Sequence, residues 1–193
     1  MAYADVPAFM ARLGSRSDIA ARALAFLILT ACRTNEVLAA TWDEIDLGSR
    51  VWTIPASRMK AGREHRVPLS EAASSLVEDM ARIRINEFIF PSLDARSRGP
   101  LSNMAMAMVL RRMGEGSITV HGFRSAFRDW CGEETSFPRE ICEAALAHAL
   151  RDKTEAAYRR GDALERRRHL MEAWAGYRKR GAVVAPLRAV AAS

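Results

Sequence analysis

The sequence has no apolar run able to cross a bilayer; the longest, Ala20 to Cys32, is interrupted by Arg22 and is too short. Nothing in it points to a membrane. The opening Met-Ala-Tyr-Ala-Asp has neither the basic start nor the apolar core of an export signal. Three cysteines (Cys32, Cys131 and Cys142) form an odd set without paired spacing, which argues against a disulfide framework and for a reduced, cytosolic setting. Cys131, Cys142 and His148 could suggest zinc, but their spacings fit no ligand pattern, and buried thiols are the simpler expectation. Gly-rich phosphate loops, paired-carboxylate metal motifs and a nucleophilic serine elbow are all lacking. There is no internal repeat and no obvious linker.

What remains is an ordinary globular composition with a basic bias. The 193 residues suffice for one domain with a real core; 49% are hydrophobic and 27% charged. Lys and Arg number 29 against 23 Asp and Glu, a net charge of +6. That excess permits an anionic partner such as nucleic acid without requiring one.

The pattern along the chain is mostly helical. Pro7 suits the first turn of a helix over Asp5–Leu13, and Ser17-Asp18 caps a second through Ala31 that is apolar on most sides. A short helix over Thr34–Ala40 follows, then a turn from Trp42. Val51–Pro55 and His65–Leu69 read as a hairpin with a long basic tip, and Phe88–Pro91 as a third small strand. Ser70 caps a helix to about Arg84, and Ser92–Pro100 is a surface loop. Further helices are expected over Ser102–Met113, His121–Glu133, Pro138–Ala147, Asp152–Arg160 and Leu164–Arg180. The fold class is therefore mainly α with a small antiparallel β-sheet (α+β): one domain over 1–180, and a tail over 181–193 that is disordered or docks on a neighbouring protomer.

Six residues could together break a phosphodiester. A phenol such as Tyr158 has a pKa of about 10 and needs a base or strong positive surroundings to attack. Arg33 and Arg124 offer planar forks that match pairs of phosphate oxygens and could take the place of a metal. Lys60, in the hairpin tip Arg58-Met-Lys60-Ala-Gly-Arg63, can hold a phosphate and give up a proton; Arg58 and Arg63 are alternative phosphate contacts. His121 and Arg124 share a helix face, with His121 at a helix start that favours anions. His148 ends an apolar helix. Taken singly each has a plainer reading: Arg33 paired with Glu36, His121 a cap, His148 a helix-end histidine, Tyr158 a packed ring. Glu36 would also suit the task of orienting the Arg33 fork. Arg166-Arg-Arg-His169 reads as a basic turn on a solvated face.

Five segments in order outweigh those plainer readings: Leu29-Thr-Ala-Cys-Arg33-Thr-Asn-Glu36-Val-Leu, Met59-Lys60-Ala-Gly-Arg-Glu-His-Arg-Val-Pro-Leu-Ser70, His121-Gly-Phe-Arg124-Ser-Ala-Phe-Arg-Asp-Trp130, Leu146-Ala-His148 and Glu155-Ala-Ala-Tyr158. With them the chain resembles the catalytic domain of the tyrosine recombinases (the phage-integrase family), and is most similar to integrases of prophages and genomic islands. The resemblance implies site-specific DNA recombination, in which Arg33 and Arg124 clamp the scissile phosphate with help from His148. Lys60 then protonates the leaving 5′ oxygen, His121 acts as acid/base toward the phenol, and Tyr158 forms a 3′-phosphotyrosyl link that a second 5′ hydroxyl resolves. That scheme requires no cofactor and no metal. It implies double-stranded DNA carrying attachment sites as partner, a tetramer on DNA in the full-length protein with a monomer alone, and a place at the bacterial nucleoid in the cytoplasm. A catalytically idle DNA-binding prophage remnant and a type IB topoisomerase-like enzyme are the alternatives.

Two departures from the family pattern stand out: Ala31 and Ala147 each occupy a place usually held by glycine. The chain also begins near where the catalytic domain would. Without the core-binding and arm-binding domains, many phosphate contacts are missing and weak, poorly sequence-specific DNA binding is expected.

Overall fold

The computed structural model describes residues 1–94, 99–148 and 163–180. Helices α1 (Val6–Gly14) and α2 (Ile19–Thr30) begin where the sequence places them: Pro7 sits in the first turn of α1, and the Asp18 carboxylate accepts the Ala21 N–H at 3.0 Å. Helix α2 is the hub. Ala23, Leu24, Phe26 and Leu27 are at most 1% exposed, so it is buried on most sides, as its apolar character requires, with Arg22 on the side that reaches solvent. Phe26 meets Trp52 and Phe90 at ring-centroid distances of 5.3 and 5.5 Å.

After the short α3 (Thr34–Leu38), the strands β1 (Ile45–Asp46), β2 (Val51–Ile54) and β3 (His65–Pro68) form an antiparallel sheet in the order β1-β2-β3. The hairpin register pairs Trp52 with Val67 and Ile54 with His65. The third strand is thus Ile45–Asp46, not Phe88–Pro91; there Phe88 makes only an isolated bridge to Thr41, and Pro91 one to Pro100. Proline cannot donate to a ladder, so this run cannot extend a sheet beyond single bridges.

Helices α4 (Glu71–Ala81, capped by Ser70), α5 (Ala105–Arg112), α6 (Gly122–Glu134), α7 (Arg139–Ala145) and α8 (Leu164–Arg180) complete the described fold. Helix α8 packs on α1, α2, α7 and β3. Its Trp174 is the anchor, with ring contacts to Trp130 at 5.0 Å and Phe127 at 5.4 Å and an indole N–H given to Ile28 O at 2.8 Å. The expected basic turn at 166–169 lies inside α8. Its Arg167 is only 2% exposed and donates to Arg66 O at 2.5 Å, so this residue locks α8 to the sheet instead of facing solvent. Among the described residues no helix is long and apolar enough to cross a membrane. The expected helix over Asp152–Arg160 and the tail over 181–193 lie outside the described residues.

Candidate active site

Three of the six residues singled out from the sequence meet where two helices end. Helix α2 stops at Ala31, which takes a left-handed backbone conformation (φ 52°), and α7 stops at Leu146, followed by Ala147 with φ 50°. Both alanines that replace the family's glycines therefore stand where glycine has the conformational advantage.

These turns aim carbonyls at the arginines. Arg124, in the first turn of α6 and 5% exposed, donates from Nη1 to Ala31 O and from Nη2 to Leu146 O at 2.7 Å. The acceptors are the C-cap carbonyls of α2 and α7, the negative ends of two helix dipoles, which favours a cation there. Burial, and secondarily Arg33, pulls its pKa below the usual arginine range. A guanidinium nevertheless keeps its charge in proteins. Nη2 also faces His148 Nε2 at 3.4 Å.

Arg33 is the N-cap of α3. Its Nη1 donates to Glu36 Oε1 at 2.7 Å and its backbone N–H to Glu36 Oε2 at 2.8 Å, while Nη2 reaches Ala147 O at 3.5 Å. Glu36 is 4% exposed against 28% for the Arg33 side chain, so the carboxylate is a buried strut under a fork that stays accessible. The ion pair and the orienting role for Glu36 are the same contact. Cys32, between the two arms, has its thiol pushed up to about 12 by burial and by Glu36, and it stays a neutral packing group.

Of the other sequence-derived residues, His121 and Lys60 are described, and neither side chain is hydrogen-bonded to this cluster. His121 is the N-cap of α6 with its side chain exposed; it does not cap, and Thr119 Oγ1 accepts the Gly122 N–H instead, at 3.2 Å. Lys60 is exposed in the turn between β2 and β3. Of the alternative phosphate contacts, Arg58 is committed elsewhere, to Glu44 at 2.6 Å and Glu36 O at 3.2 Å, whereas Arg63 is exposed. Tyr158 lies outside the described residues. The thiols of Cys131 and Cys142 are buried, and their contact with each other raises the pKa of Cys131. Among the described residues no cluster could hold a metal ion.

Residues the sequence did not mark also shape the site. His65, which opens β3, is 9% exposed, and its ring lies close to the backbone of Ala145 at the end of α7. Burial first, then Arg167, lowers its pKa to about 4 against the opposing pull of Glu36, so the ring is neutral near pH 7. It joins the hairpin that carries Lys60 to the helix that ends at His148. Glu143, on α7, meets His148 Nδ1 through Oε2 at 2.5 Å.

The arrangement is two guanidiniums and an imidazole facing one place, backed by a buried carboxylate and by helix-end carbonyls. It suits a doubly charged oxyanion centre.

The phage integrase family matches residues 3–165 of this chain. The prophage integrase IntA of Escherichia coli K12 is 42% identical over 150 residues, covering 77% of this chain and 36% of that protein. The integrase of Enterobacteria phage P4 is 34% identical over 190 residues, covering 89% of this chain and 43% of its own length. The chain thus spans less than half of these relatives. Among solved structures, an integrase from mycobacterium phage Brujita superposes with a TM-score of 0.65 at 20% identity over 86% of this chain and 55% of its own. XerA recombinase does so with a TM-score of 0.59 at 17% identity, over 84% of this chain and 59% of its own. Their likeness is one of fold, mainly helical with a small antiparallel sheet. By sequence match across most of its length, this chain belongs to the phage integrase family.

Proposed function

We propose that the chain is the DNA strand-cleaving and rejoining domain, spanning residues 1–180, of a site-specific integrase that inserts or excises a mobile element. The observation that carries this reading is the convergence of Arg33, Arg124 and His148 at the ends of α2 and α7. Among the described residues Arg124 uses three of its five N–H donors, on Ala31 O, Leu146 O and His148, which leaves two for an anion. Arg33 adds a second fork held by Glu36.

In the reaction, a duplex lays its scissile phosphate between the two forks. The guanidiniums neutralise the non-bridging oxygens as negative charge builds in the transition state, the role that a divalent cation has elsewhere. The Tyr158 phenol attacks phosphorus, its proton passing to His121. Lys60 gives a proton to the departing 5′ oxygen, and His148 hydrogen-bonds a phosphate oxygen. The bond energy is retained in a 3′-phosphotyrosyl ester. A 5′ hydroxyl from a second duplex attacks this ester and releases the tyrosine. Attachment-site DNA is the substrate, and a tetramer built on two duplexes is the assembly in which the full-length protein would act at the nucleoid.

The test is a nicked suicide duplex carrying the attachment site, with covalent adduct scored on a denaturing gel. An adduct supports the reading. None, with a full-length integrase on its own site as positive control, would make the chain a DNA-binding remnant. Relaxation of a plasmid without any attachment site would make it a topoisomerase.

A further inference from the structure

We infer that Glu143 is the positioning residue for His148: the pair is a carboxylate–imidazole dyad that decides which ring nitrogen faces the phosphate and whether it carries a proton. This deepens the reading of His148 as a phosphate ligand and rests on it.

The local fold builds the dyad. Positions five apart do not share a helix face, and within α7 Glu143 and His148 would point apart. The helix ends in a Schellman turn: Ala147 enters the left-handed region (φ 50°) and the His148 N–H bonds back to Glu143 O at 3.0 Å. That reversal folds the imidazole over the residue five positions earlier, so Nδ1 meets Glu143 Oε2 at 2.5 Å. The other carboxylate oxygen is held as well, since Oε1 accepts from Arg128 Nε at 3.1 Å. Arg128 lies one helical turn beyond Arg124 on α6. The helix therefore holds the imidazole from both ends, Arg124 at Nε2 and Arg128 through Glu143.

The tautomer follows from the donors. A guanidinium can only donate, so Nε2, 3.4 Å from Arg124 Nη2, is the unprotonated nitrogen and Nδ1 carries the hydrogen given to Glu143. Burial works against the charged carboxyl of Glu143, but hydrogen bonds from His148 and Arg128 outweigh it and hold its pKa below the usual range.

When a phosphate oxygen takes over the Arg124 donor, Nε2 can bond that oxygen with Nδ1–H kept on Glu143 by taking up a proton from solvent. The imidazolium then stands among three guanidiniums: Arg124 and Arg128 on α6, and Arg33 at the start of α3. Glu36, on α3, already pairs with Arg33, and Glu143, on α7, is the carboxylate that touches the ring itself. Glu143 therefore makes proton uptake by His148 compatible with a site built from arginines.

The dyad can be read without DNA. In long-range ¹⁵N–¹H spectra of ¹⁵N-histidine protein, with His148 assigned by the signal missing from His148→Gln, the neutral ring should be the Nδ1–H tautomer. Glu143→Gln, whose amide oxygen can still accept, should keep that tautomer. Glu143→Ala, in which only the 3.4 Å contact with Arg124 is left to fix the ring, should populate the Nε2–H form as well. An Nε2–H tautomer in the parent protein, or no change in Glu143→Ala, would overturn the inference.

The second arm uses the nicked suicide duplex at saturating concentration. Glu143→Gln should slow adduct formation by about tenfold, the scale on which partners that orient a histidine act. Its rate should recover toward acid pH, where the imidazolium forms without the carboxylate, and DNA affinity should hold. A rate reduced equally at every pH would mean a merely structural Glu143 and would also overturn the inference. If the spectra hold but the parent protein forms no adduct, the catalytic reading fails and the dyad does not.

Discussion

His65 gives the sharpest test of how the hairpin is joined to the catalytic end of the molecule. Its ring is buried at the start of β3 against the end of α7, near Arg167, Arg33 and Glu36. The loss of water, and after it two guanidiniums, disfavour the imidazolium; Glu36 and the Ala145 backbone favour it and do not prevail. The pKa falls from 6.5 to about 4. As pH drops from about 6.5, the unfolded chain binds the proton first, so stability that is fully present above pH 6.5 is lost progressively down to about pH 4. At pH 5 the loss from this residue alone is about 2 kcal/mol. Urea unfolding at pH 7 and pH 5 measures it. The parent protein should lose about 2 kcal/mol more over this interval than His65→Gln, a difference that cancels the carboxylates titrating in both. Equal losses in the two proteins would mean that His65 titrates as a free imidazole and that the packing of β3 against α7 is wrongly described.

Other expectations are more local. Glu36→Gln removes the buried strut under Arg33 and should cost about 1–3 kcal/mol in thermal or urea unfolding, with adduct formation lost more steeply than stability. Ala147→Gly relieves a left-handed alanine at the expense of a freer unfolded chain, so calorimetry should place it within about 1 kcal/mol of the parent, with the dyad intact. Asp18→Ala removes the α2 N-cap bond to Ala21 and should cost about 1 kcal/mol by the same measurement.

The parts of the fold that local rules govern were legible in the sequence. Pro7, Asp18 and Ser70 start their helices as capping preferences dictate, and the short runs around Trp52 and Val67 do form the hairpin. Tertiary contacts decided the rest. Ile45–Asp46 is a two-residue strand that exists only because Trp52 and Val51 lie beside it, and two residues carry no period to read. Arg167 looked like one charge in a basic run; its burial depends on a carbonyl 101 residues away, at Arg66.

At the site, Arg33, Arg124 and His148 could be picked out by order and residue type. Glu143 and His65 could not. The Glu143–His148 contact needs a left-handed turn at a position that carries alanine, so even the usual glycine signal of such a turn is missing. His65 is recognisable only once β3 is known to face the end of α7.

The central claim is that the arginine site serves a tyrosine nucleophile, and the sequence holds three tyrosines. Two of them are packing residues by position: Tyr3 lies against Tyr177 at 6.3 Å, and Tyr177 against Trp130 at 5.7 Å. The measurement is mass spectrometry of the tryptic peptide left bound to DNA after the suicide-substrate reaction. The expected product is the peptide Thr154–Arg159, linked through Tyr158, with no adduct from Tyr158→Phe. A link through Tyr3 or Tyr177, or an adduct that persists in Tyr158→Phe, would contradict it.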